Sequence, residues 1–181
     1  MSSPETVKFN KAKHNRPYQH TKGIEPNMGK KKLKITSLTQ LNVDTNAKRV
    51  ISRESERREF KLKYEDNNLP KFAKTMAAFA NRDGGALFFG IKDRPREVVG
   101  VNDNEIPDEV VFTNFLKEFF QPEILFESQI LNKGGSKLLC LIVSPASRKP
   151  VICKKAKSIV TEQGTPHKKI LREGAIYYRY S

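Results

Sequence analysis

Residues 54–100 read ESERREFKLKYEDNNLPKFAKTMAAFANRDGGALFFGIKDRPREVVG, and the hydrophobic period changes twice within them. Over residues 58–64 polar and apolar side chains alternate. Phe60, Leu62 and Tyr64 take one face and Glu59, Lys61 and Lys63 the other, the pattern of a half-buried strand. Asn67-Asn68-Leu69-Pro70 supplies cap candidates and a proline near the first helical turn. Phe72, Ala73, Met76, Ala77, Phe79 and Ala80 then recur at helical spacing, which predicts an amphipathic helix to about Asn81. Asp83-Gly84-Gly85 stops it, because glycine tolerates the positive φ of a helix C-terminal cap. At least one of the two glycines is therefore expected at positive φ. Residues 86–91 form a short apolar run bounded by turns, read as a buried strand.

Downstream, Arg94-Pro95-Arg96 reads as a turn and residues 97–101 as a short strand pairing back. Pro107 opens a second helix carrying Val110, Val111, Phe115, Leu116, Phe119 and Phe120, which must stop before Pro122. Residues 124–131 and 138–143 form a hairpin around Asn132-Lys133-Gly134-Gly135. Residues 150–153, 158–161 and 175–180 are read as further short strands, the last as a core strand. The order β-α-β-β-α-β-β-β specifies an α+β fold: a mixed β-sheet with two principal helices.

At 181 residues the chain suits one domain with a tail. Residues 1–50 hold 11 Lys and Arg against 3 Asp and Glu, so they carry +8 of the formal +14. With few apolar residues they read as a disordered basic arm, and residues 51–181 as the folded domain. Lys30, Lys31 and Lys32 are candidate phosphate contacts in the arm, although charge runs are as often solvated tail. Leu33, Ile35, Leu38 and Leu41 are candidates for a short strand or an anchor at the domain's edge. The positive excess favours polyanionic partners. No stretch of 18 apolar residues is present, so no membrane-spanning helix is expected. Cys140 and Cys153 are the two cysteines, both in apolar runs, which fits a reducing, cytoplasmic setting. With His14, His20 and His167 scattered and no CxxC pair, a structural zinc site is not expected.

Several separated pieces, in order, resemble the Schlafen-type AlbA domain family, the second AlbA family, known also as a DNA-binding or divergent AAA domain. They are Glu54-Ser55, Glu59-Phe60-Lys61, Ala78-Phe79-Ala80-Asn81, Gly84-Gly85, Phe89-Gly90-Ile91-Lys92-Asp93 and Val99-Gly100. The resemblance spans roughly residues 52–180. It implies a nucleic-acid-binding domain and, in part of the family, a metal-dependent endoribonuclease acting on structured RNA such as tRNA. In those nucleases two glutamates at this spacing and an acid after the Gly-Ile strand form the site, so Glu54, Glu59 and Asp93 are the implied Mg or Mn ligands and catalytic residues. Lys61 would then touch the scissile phosphate or pair with Glu59. The chain lacks the zinc site of some Schlafen relatives. Schlafen proteins hold two such lobes in a cradle, which a homodimer of this chain would imitate. A regulatory or oligomerisation module is the third reading.

The residues themselves allow both chemistry and plain structure. Metal-assisted phosphodiester cleavage needs two or three converging carboxylates. Glu54 and Glu59 lie five apart and would face opposite sides of one unbroken strand. They converge only if the chain bends near residues 55–57 or if Glu54 precedes the strand. Equally, Glu54 fits a surface charge, Glu59 and Lys61 a solvated strand face, and Asp93 a turn cap. An ATPase loop is rejected: between Gly85 and Lys92 the lysine falls one position late and no Ser or Thr follows it. Lys154, Lys155, Lys168, Lys169, Arg172 and Arg179 crowd the C-terminal third as candidate nucleic-acid contacts. Residues 164–169 read as an exposed loop able to follow a phosphate backbone, and Tyr177 and Tyr178 as a stacking face. No base-reading motif is present, so the leading expectation is backbone contact with DNA or RNA.

Overall fold

The computed structural model describes residues 37–159 and 168–180. In chain order the strands are β1 (Val43–Asp44), β2 (Arg49–Val50), β3 (Arg58–Lys61) and β4 (Gly85–Phe89). Then follow β5 (Phe120–Gln121), β6 (Phe126–Lys133), β7 (Ser136–Val143), β8 (Ile152–Cys153), β9 (Lys157–Ile159) and β10 (Lys168–Leu171). Helix α1 (Leu69–Asn81) links β3 to β4, and α2 (Glu109–Phe119) lies between β4 and β5. The fold is α+β, built on a mixed sheet of order β3-β4-β7-β6. Strands β3 and β4 run parallel; β7 is antiparallel to both β4 and β6. Three two-stranded pairs, β1 with β2, β5 with β8 and β9 with β10, surround it.

All five residues of β4 are buried, so apolar side chains leave both sheet faces and each face must be covered. On one face Leu87 and Phe89 meet α1, α2 and β10 through Phe72, Met76, Phe112, Leu116 and Leu171. On the other, Ala86 and Phe88 meet Phe60, Leu138 and Cys140. That second face is closed by Leu38, Leu41 and Val50. The packed body thus reaches back to at least Leu38, well ahead of residue 51, and Leu38 and Leu41 are its anchors. Both cysteines are free and buried, and burial pushes the Cys140 thiol up to about 12. No helix among the described residues is long and apolar enough to cross a membrane.

Several expected strands are shorter. Strand β3 ends at Lys61, because the chain turns there and Gly90 N–H reaches the carbonyls of both Lys61 and Leu62, each at 3.0 Å. Leu62 is consequently exposed, and Tyr64 crosses to the helical side against Phe72, Phe89 and Phe112. Residues 97–101 make only single bridges, Arg49 with Glu97 and Ile91 with Val98. Residues 175–180 are not a core strand. They make one bridge, Ile152 with Ile176, and Tyr178 and Tyr180 point into solvent. Lys168 and Lys169 belong to β10 rather than to a loop.

The turn after α1 uses both glycines. Gly84 has φ +77°, and a Cβ there would lie 2.5 Å from the Val143 carbonyl oxygen. A Cβ on Gly85 would lie 2.5 Å from the buried Phe79 ring. Gly84→Val is expected to destabilise the fold by at least about 1 kcal/mol through backbone strain. An unchanged melting curve would refute this account of the turn.

Candidate nucleic-acid interface

Strand β3 sorts its side chains by register. Glu59 lies opposite Leu87 and Lys61 opposite Phe89, so both take the helix-bearing face. Phe60 lies opposite Phe88, and their rings meet edge to face at 5.7 Å on the other side. Because β3 is at the sheet edge, the space beside Glu59 and Lys61 stays open along the flank of α1. It forms a groove of about 640 Å³. Lys61 and Lys63 come from β3 and its exit, Lys71 and Lys74 from α1, Lys168 from β10 and Arg179 from the C-terminal segment. Six cations thus face two acids, Glu59 and Glu65, with Tyr177 and Tyr178 in the same wall.

The internal pairing of this groove is specific. One Glu59 oxygen accepts from the Lys61 ammonium and the other from the Arg179 guanidinium. The Glu59 side chain is only 13% exposed, a burial that a carboxylate tolerates when cations and hydrogen bonds surround it. Arg179 also donates to the Ser55 carbonyl at 3.2 Å and lies 5.5 Å over the Phe79 ring. Glu65 pairs with Lys63 at 2.9 Å. Lys74 sits 5.0 Å above the Tyr177 ring.

The last turn of α1 holds the C-terminal segment in place. Asn81 is the one buried polar residue among those described. Its amide donates to the Val151 carbonyl at 3.0 Å and the Tyr177 carbonyl at 3.1 Å, and its oxygen accepts from Val151 N–H at 2.6 Å. Arg82 donates to the Arg179 carbonyl at 2.7 Å and pairs with Glu56 at 2.7 Å. Two adjacent side chains thus fix the carbonyls of residues 177 and 179. The Tyr177 hydroxyl accepts Arg172 N–H at 2.8 Å, so Tyr177 faces inward and leaves Tyr178 as the outward ring. Burial raises the pKa of the Tyr177 phenol.

The three carboxylates singled out by sequence line two depressions. Glu54 does precede β3, and the chain bends where Ser55 and Arg58 exchange backbone hydrogen bonds of 3.0 and 3.2 Å. The bend turns the Glu54 carboxylate back onto Phe60 N–H at 2.8 Å. Glu54 and Asp93 line a separate depression with Arg49, Arg53, Arg94 and Arg96, whereas Glu59 lies in the groove held by Lys61 and Arg179. No group of three or more His, Cys, Asp or Glu side chains among the described residues is placed to hold a metal ion. Glu54 and Asp93 thus share one depression, and Glu59 lines the groove.

The candidate cations divide likewise. Lys61, Lys168 and Arg179 come together in the groove. Lys154 and Lys155 do not; they reach the end of α2, Lys154 donating to the Lys117 carbonyl at 2.6 Å and Lys155 pairing with Glu118 at 3.1 Å. Lys169 and Arg172 are exposed outside the groove lining. Lys30, Lys31 and Lys32 lie outside the described residues. Lys63, Lys71 and Lys74 were not singled out by sequence. For the two helix lysines the signal was the spacing of Lys71, Lys74 and Ala78, which places those three on one helical stripe.

Comparison with known proteins adds the following. The chain is 31% identical over 144 residues to an uncharacterized ATP-binding protein of Ureaplasma parvum, a match covering 71% of this chain and 38% of that protein. The chain therefore spans well under half of that relative's length. Among solved structures, the DIP2311 protein of Corynebacterium diphtheriae matches with a TM-score of 0.47 and 17% identity, over 78% of this chain and 31% of the other. The N-terminal domain of a protein related to the ATP-dependent DNA helicase RecG, from Nitrosomonas europaea, matches with a TM-score of 0.37 and 25% identity, over 72% and 82%. The model of the Schlafen, AlbA_2 family matches residues 54–181, from the Glu54 bend through the Asn81 clamp to the Arg179 segment, and the chain belongs to that family.

Proposed function

We propose that this chain binds nucleic acid through phosphate contacts in the groove between β3 and α1. The observation that carries the reading is the charge of that groove: six cations against two acids, both acids already paired with groove cations. Phosphate oxygens complement such a surface, and lysine and arginine neutralise them with release of counterions. A polymer fits better than a single small anion because the positive excess extends beyond the groove. The whole chain carries +14, and residues 1–50 carry +8 of it. Strand β4 offers no phosphate loop, since its backbone is used on both sides by β3 and β7.

The test is a salt titration of binding to labelled single- and double-stranded RNA and DNA. About four phosphates neutralised in the groove give a slope of log K against log salt of roughly −3 to −4. A slope near zero, or saturable binding of a nucleoside triphosphate with none of the polymer, overturns the reading.

Glu59 supplies a second check. It holds two groove cations away from any phosphate. Glu59→Gln removes the charge that repels phosphate and frees Lys61 and Arg179, so affinity is expected to rise several-fold. The salt slope should steepen by about 0.7 for each further phosphate neutralised on a single strand. Weaker binding with a shallower slope would show that Glu59 positions the cations rather than competing with the ligand.

A further inference from the structure

The C-terminal segment presents two tyrosines in a manner that packing does not explain. The carbonyls of Tyr177 and Arg179 both turn to the end of α1, and burial alternates along the segment: residues 177 and 179 are half-buried, 178 and 180 exposed. Tyr178 is 46% exposed and Tyr180 83%. Single exposed aromatics are ordinary, but this pair is held by a rigid frame. Asn81 and Arg82 fix the carbonyls of residues 177 and 179. The Arg179 side chain is drawn inward onto Glu59 and Phe79. Residues 178 and 180 are left outward, and Tyr178 lines the cationic groove. Residues two apart on an extended chain are separated by about 6.6 Å, a spacing compatible with two neighbouring unstacked bases.

We propose that Tyr178 and Tyr180 form a stacking platform for unpaired bases, so that the ligand of the groove is single-stranded or carries an unpaired segment. This rests on the phosphate-binding reading of the groove and adds the feature that selects among nucleic acids. A base has a π face free only when it is not stacked in a duplex, and tyrosine stacks on any base. Lys71, Lys74 and Lys168 would hold the phosphates while the tyrosines hold the bases. Arg179 and Asn81 keep the platform rigid before ligand arrives, which reduces the ordering cost on binding. DNA and RNA strands share this chemistry, and both belong in the test.

The experiment uses the full chain with a single strand of about ten nucleotides, within the usual site sizes, and with its duplex, each as RNA and DNA at fixed salt. The single strand is expected to bind more tightly than the duplex. Tyr178→Ala and Tyr180→Ala are each expected to weaken single-strand binding about ten-fold, with duplex binding changed less than about two-fold. Replacement by Phe at either position should restore the single-strand affinity. The salt slope should stay constant in all tyrosine variants and fall in Lys71→Ala or Lys74→Ala. The chain has no tryptophan, so quenching of tyrosine emission by the single strand reads the stacking directly and should diminish in both Ala variants. Ala variants that leave single-strand affinity and quenching unchanged, or that weaken duplex and single strand alike, overturn the platform. If the lysine variants still lower affinity, the groove reading survives that outcome; if they too have no effect, it fails with it.

Discussion

Asn81→Ala is expected to lower the unfolding free energy by about 3 kcal/mol or more, a large effect for one side chain. The Asn81 amide satisfies Val151 N–H, the Val151 carbonyl and the Tyr177 carbonyl. Val151 is fully buried, so water cannot replace what is lost, and each orphaned polar group costs about 1–3 kcal/mol. Asn81→Asp is expected to be nearly as harmful. A carboxylate still accepts from Val151 N–H but turns an acceptor toward two carbonyl oxygens. Denaturant melts of both variants measure this. Binding supplies an independent readout, because the Tyr177 carbonyl is half of what fixes the segment bearing Arg179. In Asn81→Ala, affinity for the single strand should fall even where the protein is fully folded. A loss below about 0.5 kcal/mol, within the range of surface changes, would show that the clamp is not what joins α1 to the C-terminal segment.

The fold was legible where one periodicity ran long enough to exclude the other. The helical spacing from Phe72 to Ala80 located α1, and the two glycines after it located the turn into β4. Elsewhere side-chain pattern and backbone pairing diverged. Residues 175–180 are aromatic and alternate like a strand, yet beyond the single pairing with β8 the carbonyls of Tyr177 and Arg179 are satisfied by the Asn81 and Arg82 side chains. Alternation records which side chains turn inward, not what the backbone bonds to. In β10 the two exposed lysines mask the two buried residues, Ile170 and Leu171, that make it a strand. Residues 37–50 looked like arm because their apolar side chains are few. They cover a single face of β4, and Leu38, Leu41 and Val50 suffice for that.

The groove was half legible for a similar reason. Lys61 stood within a recognisable sequence piece, and Lys168 and Arg179 within an evident basic cluster. Lys71 and Lys74 looked like the ordinary solvated side of an amphipathic helix. Only the placement of β3 at the sheet edge, alongside that side of α1, makes it a wall of the groove. Glu59 and Arg179 are 120 positions apart, a separation over which no periodicity carries information. The same limit applied to Glu54, Glu59 and Asp93. Their spacing left the partners of each carboxylate open; the bend at Ser55 puts Glu54 on Phe60 N–H, and Lys61 and Arg179 hold Glu59.

Reversing the two helix lysines, Lys71→Glu with Lys74→Glu, is expected to weaken single-strand binding at least about 100-fold at roughly 0.1 M salt. The change leaves four cations and four acids in the groove lining. Each phosphate left without its lysine flattens the salt slope by about 0.7 on a single strand, so the slope should fall by about 1.4. Each new carboxylate adds repulsion where a phosphate would sit. Both lysines are exposed, and exposed substitutions away from packing features usually shift stability by less than about 0.5 kcal/mol. A lost fold is therefore not the expected cause, and a melting curve checks it. The decisive comparison is Lys154→Glu with Lys155→Glu, which changes net charge identically at the end of α2, outside the groove. Exposed charges more than about 10 Å apart are largely screened at this salt, so that pair should cost less than about ten-fold. Equal losses from the two double variants would mean that total charge, and not the groove, holds the nucleic acid.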